Sequence, residues 1–283
     1  MTRLAEIEAR IASMSALLDL VGAMHSLAGM RVQEAQGVLP GARGYAESIA
    51  AGVADTLLLV GEPESLPRKA RGRLALVLYM AEHGFVGGFN ERLLEVAQTL
   101  LEPNDALFVL GGRGASLAFE RGYPASWTHA IATRCGAAPE IVQALTTELY
   151  RHIAQGEIGR VELIYTRFRQ GCAGSVERRL LLPLNLVSLK AKQPGQPPLH
   201  NLTLVTLRER LVAEYVFALL TEAAIESIAS ENAARLAAMG SARDNVSKKL
   251  ATLQRDAHQA RQTEITTEVL ELVVAAKALG SER

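Results

Sequence analysis

In this 283-residue chain, two groups of glycines are the residues whose type and spacing most suggest ligand binding. Gly111 to Gly114 follow an apolar run, and the backbone amides of such a turn can approach a phosphate. The complete dinucleotide fingerprint is missing, so a tight strand-to-helix turn is the favoured interpretation. Gly84, Gly87 and Gly88 form a second turn, for which a structural role is again favoured.

No other pattern indicates a catalytic or metal-binding site. The chain contains no Walker phosphate loop, no nucleophile elbow and no helical metalloprotease motif. Its six histidines show no ligand spacing with each other or with the two cysteines, and they are residues 25, 83, 129, 152, 200 and 258. The sequence therefore predicts no catalytic residue, no cofactor and no metal.

Composition and charge give no indication of nucleic-acid binding or of a membrane-spanning segment. The formal net charge is zero, with 49% hydrophobic and 21% charged residues, which gives no case for binding nucleic acid. The longest uncharged stretch, Gln193 to Leu207, contains three prolines and is too short to cross a bilayer. Charged residues precede any apolar run at the start, so we expect neither a secretory signal nor a membrane span. Cys135 and Cys172 are expected to be reduced thiols.

Both ends of the chain carry the heptad pattern of helices that pack along a seam. At the start, core positions alternate in steps of three and four, and they are Leu4, Ile7, Ile11, Met14, Leu18, Val21, His25, Ala28, Val32, Ala35 and Leu39. Near the end, two groups keep this rhythm: Val246, Leu250, Leu253, Ala257 and Ala260, then Ile265, Val269, Leu272, Ala276 and Leu279.

The single polar position in the first seam is His25, which has two open interpretations. A polar core residue can fix the register of two helices at some cost in stability. Alternatively, the ring reaches past the seam to solvent. Pro40 interrupts the same pattern, and because helical composition resumes at Tyr45 we predict a kink there and not a stop.

The middle of the chain alternates between strand and helix patterns. Buried strands are predicted at two apolar runs, Leu74 to Met80 and Ala106 to Leu110. Two further strands are predicted at Val161 to Phe168 and Val176 to Leu182. Asn90 is predicted to cap the helix after the first turn. This alternation predicts an α/β layer domain with a largely parallel sheet, flanked by Pro-containing linkers at Gly61 to Arg73 and Lys190 to His200.

An excess of positive charge marks the C-terminal helix. The segment 235–261 contains six basic and two acidic residues. The basic residues are Arg235, Arg243, Lys248, Lys249, Arg255 and Arg261, and the acidic residues are Asp244 and Asp256. A solvated helix face and a basic collar that meets acidic loops of a partner are both open interpretations.

Several motifs spread over the whole chain resemble those of the F-type ATP synthase gamma subunit. The most specific is ARQTEITTEVLELVVAAKAL, from Ala260 to Leu279, which is similar to the C-terminal signature of that family. Other similar segments are Ile7 to Ser13 with Ala23-Met24, Gly84 to Asn90, Leu181 to Leu184, Ser230 to Met239 and Ala242 to Asn245.

The resemblance implies a fold and a role. The expected fold is α/β plus coiled coil: residues 1–60 and 201–283 form an antiparallel two-helix rod, and residues 70–190 form a Rossmann-like α/β domain. The expected role is the non-catalytic central rotor shaft that couples ion flow to ATP synthesis or hydrolysis. The implied partners are the alpha and beta subunits, the epsilon subunit and the c-ring, at the cytoplasmic face of a bacterial inner membrane.

Six residues are implied as contacts to the alpha/beta ring. Arg261, Gln262 and Glu268 are polar contacts of the C-terminal signature, and Arg243, Lys248 and Lys249 form the basic collar. Departures from the family, such as the weakly basic segment Arg31 to Glu34 and the neutral net charge, resemble a divergent branch of an alternative ATPase. The rival hypotheses are a coiled-coil adaptor with an α/β head and a small nucleotide-dependent enzyme that uses the glycine turns.

Overall fold

The computed structural model describes residues 3–60, 72–171, 174–184 and 200–280. Most of the two predicted linkers, Gly61 to Arg73 and Lys190 to His200, lies outside the described residues, as does Cys172. The helices are α1 (Arg3–Val60), α2 (Phe89–Gln98), α3 (Gly112–Glu120), α4 (Ala138–Ala154) and α5 (Leu204–Gly280), with a short 3-10 turn at Cys135–Ala137. The strands are β1 (Arg73–Tyr79), β2 (Ala106–Leu110), β3 (Trp127–His129), β4 (Ile158–Arg167) and β5 (Ser175–Leu182).

The five described strands form one mixed sheet in the order β3-β2-β1-β4-β5. β3, β2, β1 and β4 run parallel, and β5 pairs with β4 in the antiparallel direction. Every residue of β2 and the last five residues of β1 are buried, which is why these central strands read as continuous apolar runs. The four predicted strands and the largely parallel sheet are therefore confirmed, and the long helices at both ends flank them in sequence.

The described chain divides into two compact units, residues 28–235 and residues 1–27 with 236–283. In the unit 28–235 the sheet separates two apolar layers. One layer packs β1 residues such as Val77 and Tyr79 against α1, α4 and the first half of α5. The other packs Leu76 and Leu78 against α2 and α3. Two buried hydrogen bonds join β1 to α5: the Tyr79 hydroxyl donates to the Leu220 carbonyl, and the Ser227 hydroxyl donates to the Tyr79 carbonyl, each at 3.0 Å.

In the unit of residues 1–27 and 236–283, the two helical segments contact each other with opposite chain directions. Arg261 donates to Glu8 at 2.8 Å, while much earlier in α5 a Cβ added at Gly240 would lie 3.7 Å from the His25 ring. The predicted seam positions of this unit from Leu4 to His25, and from Val246 to Ala260, are all buried or half-buried. These positions are therefore less exposed than a free helix face would be, while the two-helix rod itself stays a prediction.

The second predicted group of seam residues does not pack in this way. Ile265, Val269 and Leu272 are 54%, 53% and 70% exposed, which corrects the expectation that the seam continues through them. The physical reason is the length of the opposing helix: Glu8 already lies opposite Arg261, so few residues of α1 remain to cover the last turns of α5. The side chains of Ala276 and Leu279 lie outside the described residues.

Helix α1 is continuous and markedly apolar. It runs through Pro40 to Val60, as expected from the helical composition that resumes at Tyr45. A bend at Pro40 stays a prediction. By length and composition alone, a window within Arg3–Thr56 is apolar enough to cross a membrane. The longest uncharged stretch of the sequence does not reveal this window, because an isolated charge such as Asp19 interrupts it.

Candidate functional site

The glycine turn after β1 is a well-defined structural element. Gly87 has φ of +57°, in the left-handed region that favours glycine, and Phe85 adopts φ of +63° with a side chain that is 65% exposed. Val86 is buried beneath the turn. The turn therefore displays one large apolar side chain to solvent, while the structural role of Gly84, Gly87 and Gly88 stays a prediction.

Asn90 does not cap the following helix, which corrects the sequence prediction. The helix begins after Gly88, and the Asn90 side chain is buried. Its Oδ1 accepts a hydrogen bond from the backbone N–H of Ala81 at 2.8 Å. Asn90 therefore ties the end of β1 to α2, a tertiary role that local capping rules do not reveal.

The second glycine turn is shaped by close packing. Gly111 has φ of +112°, and a Cβ at this position would lie 2.4 Å from the Met80 carbonyl oxygen. At Gly114 a Cβ would lie 2.1 Å from the Met80 Cβ. Only glycine fits at both positions, so the strand-to-helix turn is explained by close packing against Met80, the residue that follows β1.

An acidic side chain of the protein itself lies at the amino end of α3. The Glu82 carboxylate accepts hydrogen bonds from the backbone N–H groups of Gly112, at 3.0 Å, and of Ile131, at 2.9 Å. A helix amino terminus favours a negative group, and Glu82 supplies one. The place where a phosphate was considered thus holds an internal carboxylate, which weakens the nucleotide-enzyme hypothesis.

The histidines lie in separate environments. Within residues 3–60, 72–171, 174–184 and 200–280, no group of three His, Cys, Asp or Glu residues is arranged to hold a metal ion. His152 contacts the carboxylates of Glu148 and Glu157 at 3.3 and 2.6 Å. Burial raises the pKa of the Cys135 thiol to about 11, so this cysteine stays a protonated thiol at neutral pH.

The basic collar of Arg243, Lys248 and Lys249 stays a prediction. Arg243, Lys248 and Lys249 are exposed on α5. Among the described residues, none of these three side chains forms an ion pair within 4.0 Å. Arg235, which contributed to the charge excess, is instead paired with buried Glu231 and is therefore no part of an exposed collar.

The three residues expected from the C-terminal signature are also exposed. Arg261 forms an ion pair with Glu8 in which the two side chains are 57% and 49% exposed, so this pair contributes little to stability. Gln262 lies beside it on an exposed face. Glu268 lines a groove of about 490 Å³ together with Glu264 and Glu271. All three residues are thus available to a partner.

Two buried carboxylates were missed by sequence reasoning. Burial raises the pKa of Glu231, although Arg235 beside it acts in the opposite direction. Hydrogen bonds from Arg178 lower the pKa of Glu162, despite its burial. The segment Ser230 to Met239 signalled Glu231 and Arg235 only as a motif, and nothing in the β4 pattern marked Glu162.

Comparison with known proteins places the chain in a family. The profile of the family described as ATP synthase matches residues 3–279. The ATP synthase gamma chain of Chlorobaculum tepidum is 28% identical, with 99% of each chain covered. The ATP synthase gamma chain of Xanthomonas campestris pv. campestris is 27% identical, with 97% of this chain and 98% of that protein covered.

The fold points the same way. A chain of the Euglena gracilis mitochondrial ATP synthase, from an OSCP/F1/c-ring structure, matches with a TM-score of 0.68 and 14% identity. The match covers 98% of this chain and 94% of that one. Since the profile match spans nearly the whole sequence, the chain belongs to the ATP synthase family, with gamma chains as its relatives.

Proposed function

We propose that the chain is the central rotor shaft of an F-type ATP synthase, the gamma subunit of that complex. The observation that carries this is the family match over residues 3–279, together with gamma-chain relatives aligned over nearly their full lengths. A gamma chain is a non-catalytic subunit, so the chain works by mechanical coupling and not by chemistry of its own. Its complex is the peripheral F1 head of a membrane-bound enzyme.

We further propose the finer architecture. Residues 1–60 and 201–283 form an antiparallel two-helix rod, and residues 70–190 form a Rossmann-like α/β domain. The rod is supported by the Arg261–Glu8 contact and by the half-buried seam positions. The Rossmann-like assignment is supported by the parallel strand order β3-β2-β1-β4 with helices on both faces of the sheet.

The mechanism follows from asymmetry. A shaft without threefold symmetry presents a different face to each of three catalytic subunits. Each orientation favours a different conformation of the facing subunit, and therefore a different nucleotide affinity. Rotation cycles the three sites, and hydrolysis in those sites turns the shaft. The shaft must accordingly be stiff and must not lock to the ring.

The exposed segment 265–274 supports contact of the C-terminal end with the ring. Six large apolar side chains there are more than half exposed: Ile265, Val269, Leu270, Leu272, Val273 and Val274. Such a concentration is unusual on a protein that stays unbound. These apolar side chains occupy one broad side of α5, while Glu264, Glu268 and Glu271 lie together on the opposite side. The apolar side suits contact with an apolar surface of the ring.

Polar contacts and remaining partners complete the proposal. Arg261, Gln262 and Glu268 contact the alpha and beta subunits, and Arg243, Lys248 and Lys249 form an electrostatic collar against acidic ring loops. Their exposure supports both assignments. The α/β domain contacts the epsilon subunit and the c-ring, at the cytoplasmic face of a bacterial inner membrane.

A charge reversal tests the collar. The double variant Lys248→Glu/Lys249→Glu should assemble but should pump fewer ions per ATP hydrolysed in reconstituted vesicles, because like charges then face each other. The matched control is Arg121→Glu/Arg134→Glu, which reverses two exposed residues of the α/β domain. Unchanged pumping in the collar variant would refute the collar. Failure of the wild-type chain to co-purify with alpha and beta subunits would refute the shaft and favour an adaptor.

A further inference from the structure

Arg235 is the residue through which α5 reaches the glycine turn. Its guanidinium donates to two carbonyl oxygens of the turn, His83 and Gly84, each at 3.4 Å. The same side chain donates to Glu231 at 2.6 Å and to the Asn232 side chain at 3.3 Å. The Arg235 side chain is 11% exposed; its bonds to Glu231, Asn232 and Gly84 are partly buried, and its bond to the His83 carbonyl is exposed.

Glu231 is the acidic partner of Arg235 in this contact between α5 and the glycine turn. Its side chain is 7% exposed, and its carboxylate receives Arg235 on one side. Burial raises the pKa of this carboxylate, and the backbone of Glu82, two residues before Gly84, acts on it in the opposite direction with a smaller effect. Because an unpaired buried charge is costly, Glu231 and Arg235 each require the other to be in place.

The turn itself has few local reasons to be rigid. Gly84, Gly87 and Gly88 have open space around a hypothetical Cβ, so packing does not restrict them. Glycine has the largest conformational freedom of all residues in the unfolded and loop states. The positive φ of Phe85 is unfavourable for a residue with a side chain, so its conformation must be imposed from outside.

We propose that Arg235 and Glu231 are positioning residues that fasten the Gly84–Gly88 turn to α5, so that exposed Phe85 is carried as a fixed contact point by the helix. Arg235 suits this role because its planar group bonds two successive carbonyls and a carboxylate at once. A lysine would place one ammonium there and could not span the same set.

This inference deepens the proposed function and rests on it for its mechanical meaning. In a shaft, a contact point that is fastened to α5 transmits force to that helix without bending first. A loosely held turn would absorb part of each step. The fastening itself, however, is a property of this chain and can be measured without the rest of the complex.

Hydrogen exchange of the full-length chain provides the first test. Arg235→Lys and Glu231→Gln should raise the exchange rates of the amides at 84–88 by about tenfold or more, while the amides of β1 keep wild-type rates. Arg243→Lys, an exposed arginine eight residues further along α5, is the matched control and should leave the turn unchanged. Wild-type exchange in both Arg235→Lys and Glu231→Gln would overturn the proposal.

A second measurement separates this inference from the shaft itself. In the reconstituted complex, Arg235→Lys should lower the ions pumped per ATP hydrolysed, and Phe85→Ala should lower them as well without changing turn exchange. If exchange rises in Arg235→Lys but pumping stays normal, the fastening exists and its mechanical role is wrong. If the wild-type chain does not assemble at all, the proposed function fails while the exchange result still stands.

Discussion

Glu162 is a buried, ion-paired carboxylate that no pattern in the sequence marks. Its carboxylate is 1% exposed on β4 and accepts two hydrogen bonds from Arg178, at 2.5 and 3.0 Å. Arg160 forms a further ion pair with it. These partners come from the same strand and from β5, so the charge is buried but compensated.

The acid dependence of stability should report this carboxylate. The hydrogen bonds of Arg178 hold the pKa of Glu162 below its ordinary value of 4.5. A lowered pKa means that the folded state gains stability above the ordinary value and loses it as pH falls through the folded value. Arg178→Met should therefore cost about 2 kcal/mol at neutral pH and should flatten the loss of stability on acidification.

Thermal unfolding followed by circular dichroism between about pH 3 and pH 7 measures both effects. Arg113→Met is the control, because it removes the exposed pair with Glu120 at 3.6 Å, which should change the midpoint very little. An equal effect of the two substitutions at neutral pH would contradict the assignment of Glu162 as a compensated buried charge.

At the residue scale, the sequence pattern indicates which charged side chains are exposed but not which of them form tertiary pairs. Arg243, Lys248 and Lys249 are exposed as expected, since charge on a helix outside its seam normally faces water. Arg235 resembled them in sequence but is only 11% exposed, because it pairs with Glu231 one turn earlier on α5 and bonds carbonyl oxygens of the glycine turn. Periodicity contains no information on such a tertiary partner.

At the scale of elements, one leucine inside the seam of α5 can be compared with one leucine outside it. Leu253 is 7% exposed at a predicted seam position, and Leu270 is 59% exposed. Leu253→Ala should destabilise the chain by about 2 kcal/mol, since it removes buried apolar volume. Leu270→Ala should leave the unfolding free energy within about 0.5 kcal/mol of wild type.

Denaturant unfolding of the isolated full-length chain, followed by circular dichroism, measures these free energies. Both substitutions introduce the same residue into the same helix, so helix propensity cancels between them. If Leu270→Ala were as destabilising as Leu253→Ala, the exposed state of segment 265–274 would be wrong in the isolated chain.

The elements were predictable where the pattern is long or strongly apolar. The central strands β1 and β2 were recognised because they are buried on both faces. β3 was missed, since it has only three residues, Trp127–His129, of which two are exposed. The end of the seam was also misplaced, because a heptad pattern shows which face packs but not how far the opposing helix extends.

At the scale of the whole molecule, the apolar end of α5 is the feature that the isolated chain leaves unexplained. The described side chains from Ile265 to Val274 include six exposed large apolar residues. Stability of the chain alone gives no reason for them, since they contact little within it. Their presence is therefore evidence for a partner that covers them.

A single charge in this segment should separate folding from assembly. Val269→Asp places a carboxylate where the side chain is 53% exposed, so the unfolding free energy of the isolated chain should change by less than about 1 kcal/mol. In the complex the same carboxylate would be buried against an apolar surface of the ring, which is costly. We expect at least tenfold weaker binding to the alpha/beta ring, measured by co-purification and titration calorimetry.

Thr266→Asp, an exposed polar position three residues earlier, adds the same charge and should weaken binding less. Equal binding of Val269→Asp and wild type would mean that the ring does not enclose this end, and that its apolar side chains serve another contact.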